Sequence, residues 1–281
     1  MNPTTNDFEQ LYFNPFPNNE STFEDDADPD IHYFNEIKLN TPYIFQEEVN
    51  DFFCETKKYE NISLLHLNIR SLNANFENFH NLLEECNFCF NIICLTETWS
   101  TDVDFNSNSK YQLPHYKAIH YERKTNKKGG GVLIYIKNDL IYKTRNDLCI
   151  SDINTESLTV EIINKFSKNI IVSCCYKPPS GITQNLSEQL NKIFQHATRE
   201  NKNFYLLGDF NLNSLNFEEN AETRQFYNGI FEHGVIPLIT RPTRVTKTSA
   251  TLIDNILTNC LFDLSSIKGI IKTSISDHFP I

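Results

Sequence analysis

Polar groups stand directly behind three of the apolar runs in this chain. The first run ends in Leu67-Asn68, the second in Leu95-Thr96-Glu97, and the third in Leu206-Leu207-Gly208-Asp209-Phe210-Asn211. A buried strand that ends in a carboxylate or amide holds a rigid oxygen donor at the edge of a sheet, where ligands converge in α/β proteins. If the backbone stays extended through Asp209-Phe210-Asn211, period-2 alternation puts both polar side chains on one face and Phe210 in the core. Gly208 permits close approach of backbone or ligand there. The same tetrapeptide is also ordinary turn composition, and by itself it does not decide between the two.

Two constellations near the C-terminus add acid–base groups. Asp254 interrupts Leu252-Ile253-Asp254-Asn255-Ile256-Leu257, and a buried Asp needs a partner. Ser276-Asp277-His278 supplies an imidazole, which becomes a better cation when a carboxylate holds its other ring nitrogen. Asp254 is expected to do this for His278. Tyr176, on the rigid Tyr176-Lys177-Pro178-Pro179 segment, offers a hydroxyl to a phosphate oxygen or packs beneath a loop. Glu, Asp and Asn are hard oxygen donors that suit Mg²⁺ or Mn²⁺, and no paired Cys or His spacing indicates zinc. Cys86-x₂-Cys89 has no second pair and reads as structural thiols. His32, His66, His80, His115, His120, His196 and His233 lack motif context and are assigned to structure or surface. Gly129-Gly130-Gly131 behind two lysines lacks the Lys-Ser/Thr ending of a P-loop; it either lets a phosphate backbone approach or is a turn entering a strand. Arg123-Lys124-Thr125-Asn126-Lys127-Lys128 reads as a solvated basic turn or a nuclear signal.

These groups need a scaffold, and the pattern supplies alternating strands and amphipathic helices. Residues 62–69, 91–96, 130–137, 157–163, 169–176, 203–207, 250–257 and 267–275 read as strands, with 157–163 and 169–176 paired as a hairpin. Leu72, Phe76, Phe79, Leu82, Leu83 and Cys86 recur at helical spacing. So do Leu186, Leu190, Ile193, Phe194 and Ala197, behind a capping box at Asn185/Glu188. Residues 222–233 read as a helix ended by Gly234. Mixed strands and helices of this kind predict a layered α/β sandwich.

Composition sets the outer bounds. Of 281 residues, 40% are apolar and 22% charged, which excludes an all-coil chain and a disulfide scaffold. No run reaches the roughly 18–20 apolar residues of a membrane span, and residues 1–13 carry no secretion signal, so no membrane partner is expected. An intracellular, non-secreted location with eight mostly buried thiols is the matching expectation. The net charge of −11 falls within residues 1–60, which hold 14 acidic and 3 basic residues. That segment is expected to be a disordered acidic arm, repelled by polyanions, with the folded domain spanning 61–281.

The ordered set Asn68, Glu97, Tyr176-x-Pro, Gly208-Asp209-x-Asn211, Ile253-Asp254 and Ser276-Asp277-His278 resembles the endonuclease/exonuclease/phosphatase superfamily, also called DNase I-like. Leu67–Leu72, Thr96-Glu97-Thr98-Trp99, Gly129–Val132, Tyr176–Pro179 and Ser249–Ile256 are similar to endonuclease domains of LINE-type retrotransposons. The resemblance implies a four-layer α/β/β/α sandwich and Mg²⁺-dependent hydrolysis of a phosphodiester, with DNA as substrate. The expected outcome is a nick that leaves a 3′-hydroxyl, made in the nucleus if chromosomal DNA is cut. It further implies Glu97, Asn68 and Asp277 as metal-side residues. Asp209 and Asn211 would act on the attacking water, His278 steered by Asp254 on the phosphate charge, and Tyr176 on a phosphate oxygen. Arg70 stands where apurinic-site endonucleases carry an acidic residue. The chain stops at Ile281, where the family continues into another core strand, so the sandwich is expected to lack that strand. Two other readings are a catalytically inactive remnant serving as a binding module, and a phosphatase of small phosphorylated substrates. Protein partners are not indicated.

Overall fold

A computed structural model describes residues 41–54, 62–123, 129–165, 167–260 and 267–281. Two sheets face each other. In the first, β2 (Leu64–Asn68), β3 (Ile92–Thr96), β4 (Tyr116–Tyr121) and β5 (Val132–Lys137) lie in the order β2-β3-β5-β4, with only β2 and β3 parallel. The second contains β6 (Tyr142–Thr144), β7 (Ile150–Ser151), β8 (Glu156–Ile162), β9 (Ile170–Tyr176), β10 (Asn203–Asp209), β11 (Ile236–Pro237) and β14 (Asp254–Thr258). Its order is β11-β14-β10-β9-β8-β6, and β7 also pairs with β8. The short hairpin β12 (Arg244–Val245)–β13 (Ala250–Thr251) and the parallel pair β1 (Tyr43–Phe45)–β15 (Ile270–Lys272) complete the strands.

Strand parity builds the layers. Ile92 and Cys94 of β3 face the second sheet, where Val172 and Cys174 of β9 and Tyr205 and Leu207 of β10 join the same cluster. Ile93 and Leu95 face outward onto Leu72, Phe76, Phe79 and Leu82 of α2 (Leu72–Cys86). On the far side, Ile171, Phe204 and Leu206 pack under α4 (Thr183–Arg199) and α5 (Ala221–Phe231) through Leu190, Phe194, Phe226 and Ile230. Strands buried on both faces explain the continuous apolar runs, which alternate between two cores rather than between core and solvent. The result is the expected helix–sheet–sheet–helix sandwich, with α1 (Val49–Cys54) and α3 (Asp102–Ser107) as short additions. No described helix is long and apolar enough to cross a membrane.

Several boundaries differ from the sequence reading. Residues 41–54 belong to the fold: β1 pairs with β15, Ile44 and Val49 are buried, and Thr41 bonds Leu238 O at 3.3 Å. Charge count hid these apolar anchors, and the rest of the expected arm lies outside the described residues. Helix α4 begins at Thr183 behind Ile182, with no side-chain cap, so Asn185 and Glu188 lie inside it and form no capping box. The expected 250–257 strand breaks at Leu252-Ile253, whose carbonyls accept from Ser214 N and Phe210 N instead. Only Ile270–Lys272 of 267–275 is a strand. At the end of the chain, Ile281 exchanges both backbone hydrogen bonds with His66 (2.8 and 2.9 Å), on the edge of β2 away from β3.

Candidate active site

The site lies where five strand ends meet at one edge of the sandwich. Asn68 ends β2, Glu97 follows β3, Tyr176 ends β9, Asp209 ends β10 and Asp254 opens the antiparallel β14. Tyr176, Asp209 and Asp254 are register partners, so they form one row across three strands. Parity aims that row inward: Asp209 follows Tyr205 and Leu207, and Tyr176 follows Val172 and Cys174, all of the inter-sheet core. Asn68 reaches the same space from the opposite sheet.

There the side chains connect. Asn68 Nδ2 donates to Asp209 Oδ2 (2.8 Å) and Glu97 Oε1 (3.1 Å), while Arg70 N donates to Asn68 Oδ1 (3.2 Å). Glu97 also accepts from the Tyr176 hydroxyl (2.9 Å) and the Trp99 indole (2.9 Å). His278 Nδ1 lies 2.8 Å from Asp254 Oδ2, the contact expected from sequence, and Thr243 Oγ1 donates to the same oxygen at 2.7 Å. Asp209, Asp254 and His278 offer ligand atoms within 4.8 Å of one another.

Burial and charge set the protonation of this group. Desolvation, helped by the neighbouring Asp254 charge, pushes the Asp209 carboxyl up to about 7. Burial works against a charged His278, but Asp254 outweighs it and raises the imidazole to about 9. His66, wholly buried with Nδ1 4.0 Å from Asp254 Oδ1, is driven down to about 4 by desolvation and is neutral at pH 7. The site therefore pairs a fixed imidazolium with a carboxyl poised near neutrality.

Two predicted residues sit differently from expectation. Asn211 adopts φ +48°, so the segment does not stay extended; its N donates to Asp209 Oδ1 (2.9 Å) and its Nδ2 to Lys177 O (2.8 Å). Phe210 is fully buried, as expected. Asp277 is not gathered with Glu97. Its two oxygens accept from Arg70 (2.6 Å) and Arg244 (2.7 Å), after which the carboxyl falls to about 2 despite the opposing burial. Arg70 thus braces the His278 loop through its contact with Asp277.

Sequence reasoning missed the parts that act through backbone and second contacts. Arg70, Ser71, Glu97, Trp99 and Asn211 all have positive φ without being glycine, a conformation that costs of order 1–3 kcal/mol each. Cross-loop bonds hold them there: Ser71 N to Glu97 O (2.8 Å), Leu72 N to Thr98 O (2.8 Å), and Trp99 N to Gly130 O (2.9 Å). Two glycines of the run are closely packed on their Cβ sides. A Cβ on Gly131 would lie 2.3 Å from Thr98 Oγ1, and one on Gly130 would strike the Arg123 guanidinium. Arg123 is not a solvated turn residue but pairs with buried Glu156; residues 124–128 of that basic stretch are outside the described set. His120, read as structural, links Asp102 (2.8 Å) to Thr98 Oγ1 (3.1 Å) beneath Glu97. The seven described cysteines are free thiols, five of them buried.

The donor set fits a hard divalent cation. Glu97 is partly exposed, its bonded partners are three neutral donors, and the Asn68 amide stands between two carboxylates where a cation's charge would be balanced.

Residues 65–278 match the endonuclease/exonuclease/phosphatase family, and the chain belongs to that family. Solved structures agree in fold. The endonuclease domain of TRAS1, a telomere-specific non-LTR retrotransposon, aligns at TM-score 0.60 and 15% identity over 78% of this chain and 95% of that one. The AP endonuclease LMAP from Leishmania major aligns at 0.63 and 13% identity over 87% and 92%. The Xenopus laevis APE2 catalytic domain aligns at 0.57 and 17% identity over 78% and 90%. No curated protein sequence matches the chain.

Proposed function

We propose that this protein is a divalent-metal-dependent phosphodiester hydrolase that nicks DNA. The observation that carries the reading is the single Asn68 amide bridging Glu97 and Asp209 from opposite sheets, beside the buried Asp254–His278 pair. Glu97 and Asn68 would hold Mg²⁺ or Mn²⁺. The ion would supply electrostatic stabilisation of the phosphoryl oxygens.

The chain's own residues supply the rest. Asp209, with its affinity for a proton raised by burial, takes the proton from the attacking water as the new P–O bond forms. Asn211 fixes that carboxylate through its backbone N–H. His278, held charged and oriented by Asp254, donates to a phosphoryl oxygen on which negative charge develops. The Tyr176 hydroxyl, which donates to Glu97 in the free protein, would donate to a phosphoryl oxygen in the same way. Breaking the P–O3′ bond releases a 3′-hydroxyl that takes up a proton from solvent. Asp277 anchors the His278 loop through Arg70 and Arg244 rather than serving as a ligand.

The test is nicking of supercoiled plasmid with Mg²⁺ by the unaltered chain, Asp209→Ala and His278→Ala. Losses of at least about 10²-fold are expected for each variant, with complete loss in EDTA. Nicking that persists in both variants overturns the mechanism. If the unaltered chain binds duplex without cutting it, the binding-module reading takes its place.

A further inference from the structure

We infer that Trp99 is a stacking platform for a nucleobase of the cleaved strand, next to the phosphate held at Glu97. The inference rests on the nuclease reading above and assigns it a binding residue. Trp99 is the only tryptophan in the chain, and half of it is exposed, although tryptophan is highly buried on average. Nothing about its exposure is loose. Its backbone sits at φ +54° and its N–H is bonded to Gly130 O, while the preceding Thr98 N donates to Gly131 O (3.2 Å).

Beneath it, Thr98 Oγ1 is held by His120, which is held by Asp102 and stacked on Phe105 at 4.8 Å. Gly129 lies alongside the indole edge, where even a Cβ would make an ordinary contact, 3.5 Å from Nε1. The indole N–H is already used, donated to Glu97 Oε2 at 2.9 Å. What remains is a half-exposed ring with its N–H engaged, fixed one hydrogen bond from the candidate metal carboxylate. Such a surface recognises a base by stacking, which tolerates every sequence because every base has a π-face.

The experiment uses the whole chain, whose sole indole reports its own environment. Intrinsic emission is followed while a 20-base-pair duplex is titrated in Ca²⁺, with anisotropy of a labelled copy of the duplex reporting binding independently. Saturable quenching that follows the anisotropy curve is expected. Trp99→Ala should raise KM for nicking by roughly tenfold to a hundredfold. Trp99→Phe, which keeps a ring but loses the bond to Glu97, should restore most of the KM. Quenching absent while the duplex binds, an unchanged KM in Trp99→Ala, or a Trp99→Phe variant as impaired as Trp99→Ala would each overturn the stacking role. If the unaltered chain neither binds nor nicks the duplex, the nuclease reading itself falls, and this inference falls with it.

Discussion

Replacing Gly208 by alanine tests the construction of the site without touching any group proposed to react. Gly208 lies in the interior of β10, between β9 and β14, one residue before Asp209. An added Cβ would sit 2.0 Å from Cys175 O and 2.9 Å from Cys175 C on β9. Non-bonded heavy atoms want about 3.5 Å, so β9 and β10 must separate by more than about 1 Å. The obstructing atom is backbone in a hydrogen-bonded ladder and cannot rotate away as a side chain would. Overpacking of this kind typically costs about 1–3 kcal/mol, and the upper end is expected here. The same displacement moves Asp209 relative to Asn68, and a misplacement of about 1 Å can cost on the order of 10²-fold in rate. Urea unfolding followed by far-UV circular dichroism gives the first quantity, and plasmid nicking gives the second. Gly229→Ala is the control: it lies inside α5 with nothing within 4 Å, so the change should stabilise the protein by about 0.5–1 kcal/mol. A Gly208→Ala protein with an unaltered unfolding midpoint and slope would refute the close-approach reasoning.

Other expectations concern charge. Glu161, fully buried, accepts from Arg145, Lys202, Lys143 and Asn169, which hold its carboxyl down at about 2 against the opposing burial. The folded-state value lies below the unfolded 4.5, so this stabilisation is fully present above pH 4.5 and lost as pH falls towards 2. The loss should approach about 3 kcal/mol, and urea midpoints measured from pH 7 to 3 should show a shallower acid slope in Glu161→Gln; equal slopes would contradict it. Asp254→Asn removes the partner of buried His278 and should destabilise the fold by about 3–5 kcal/mol at pH 7, read by the same unfolding titration; a change below 1 kcal/mol would count against a charged His278. Arg70→Ala breaks a half-exposed pair with Asp277 and should change stability by no more than about 1 kcal/mol. A much larger loss would show that this arginine does more than anchor the loop.

What was legible in the sequence follows from periodicity. Asn68, Glu97 and Asp209 could be found because each closes an apolar run, and the run fixes where the strand ends. Helix α2 matched its apolar stripe because Leu72 through Cys86 packs on a single face. Asp254 and His278 pair as expected because a buried carboxylate has few other means of support. What escaped depends on contacts with no local signature. The anchoring of Asp277 requires Arg70, 207 residues away, and the incorporation of residues 41–54 depends on a strand at 270–272. The left-handed turn at Asn211 and the filled space over Gly130 and Gly131 likewise record neighbours rather than propensity.

Five strained residues around one opening carry a consequence for how the molecule comes apart. Their dihedrals are not what the local chain prefers, so each relaxes as soon as the loop facing it lets go. The constellation should therefore be among the last features to assemble and the first to be lost on mild heating or in dilute denaturant. The arrangement of these side chains would then disappear while both sheets are still intact, and short peptides bearing these motifs would have no reason to adopt the geometry alone.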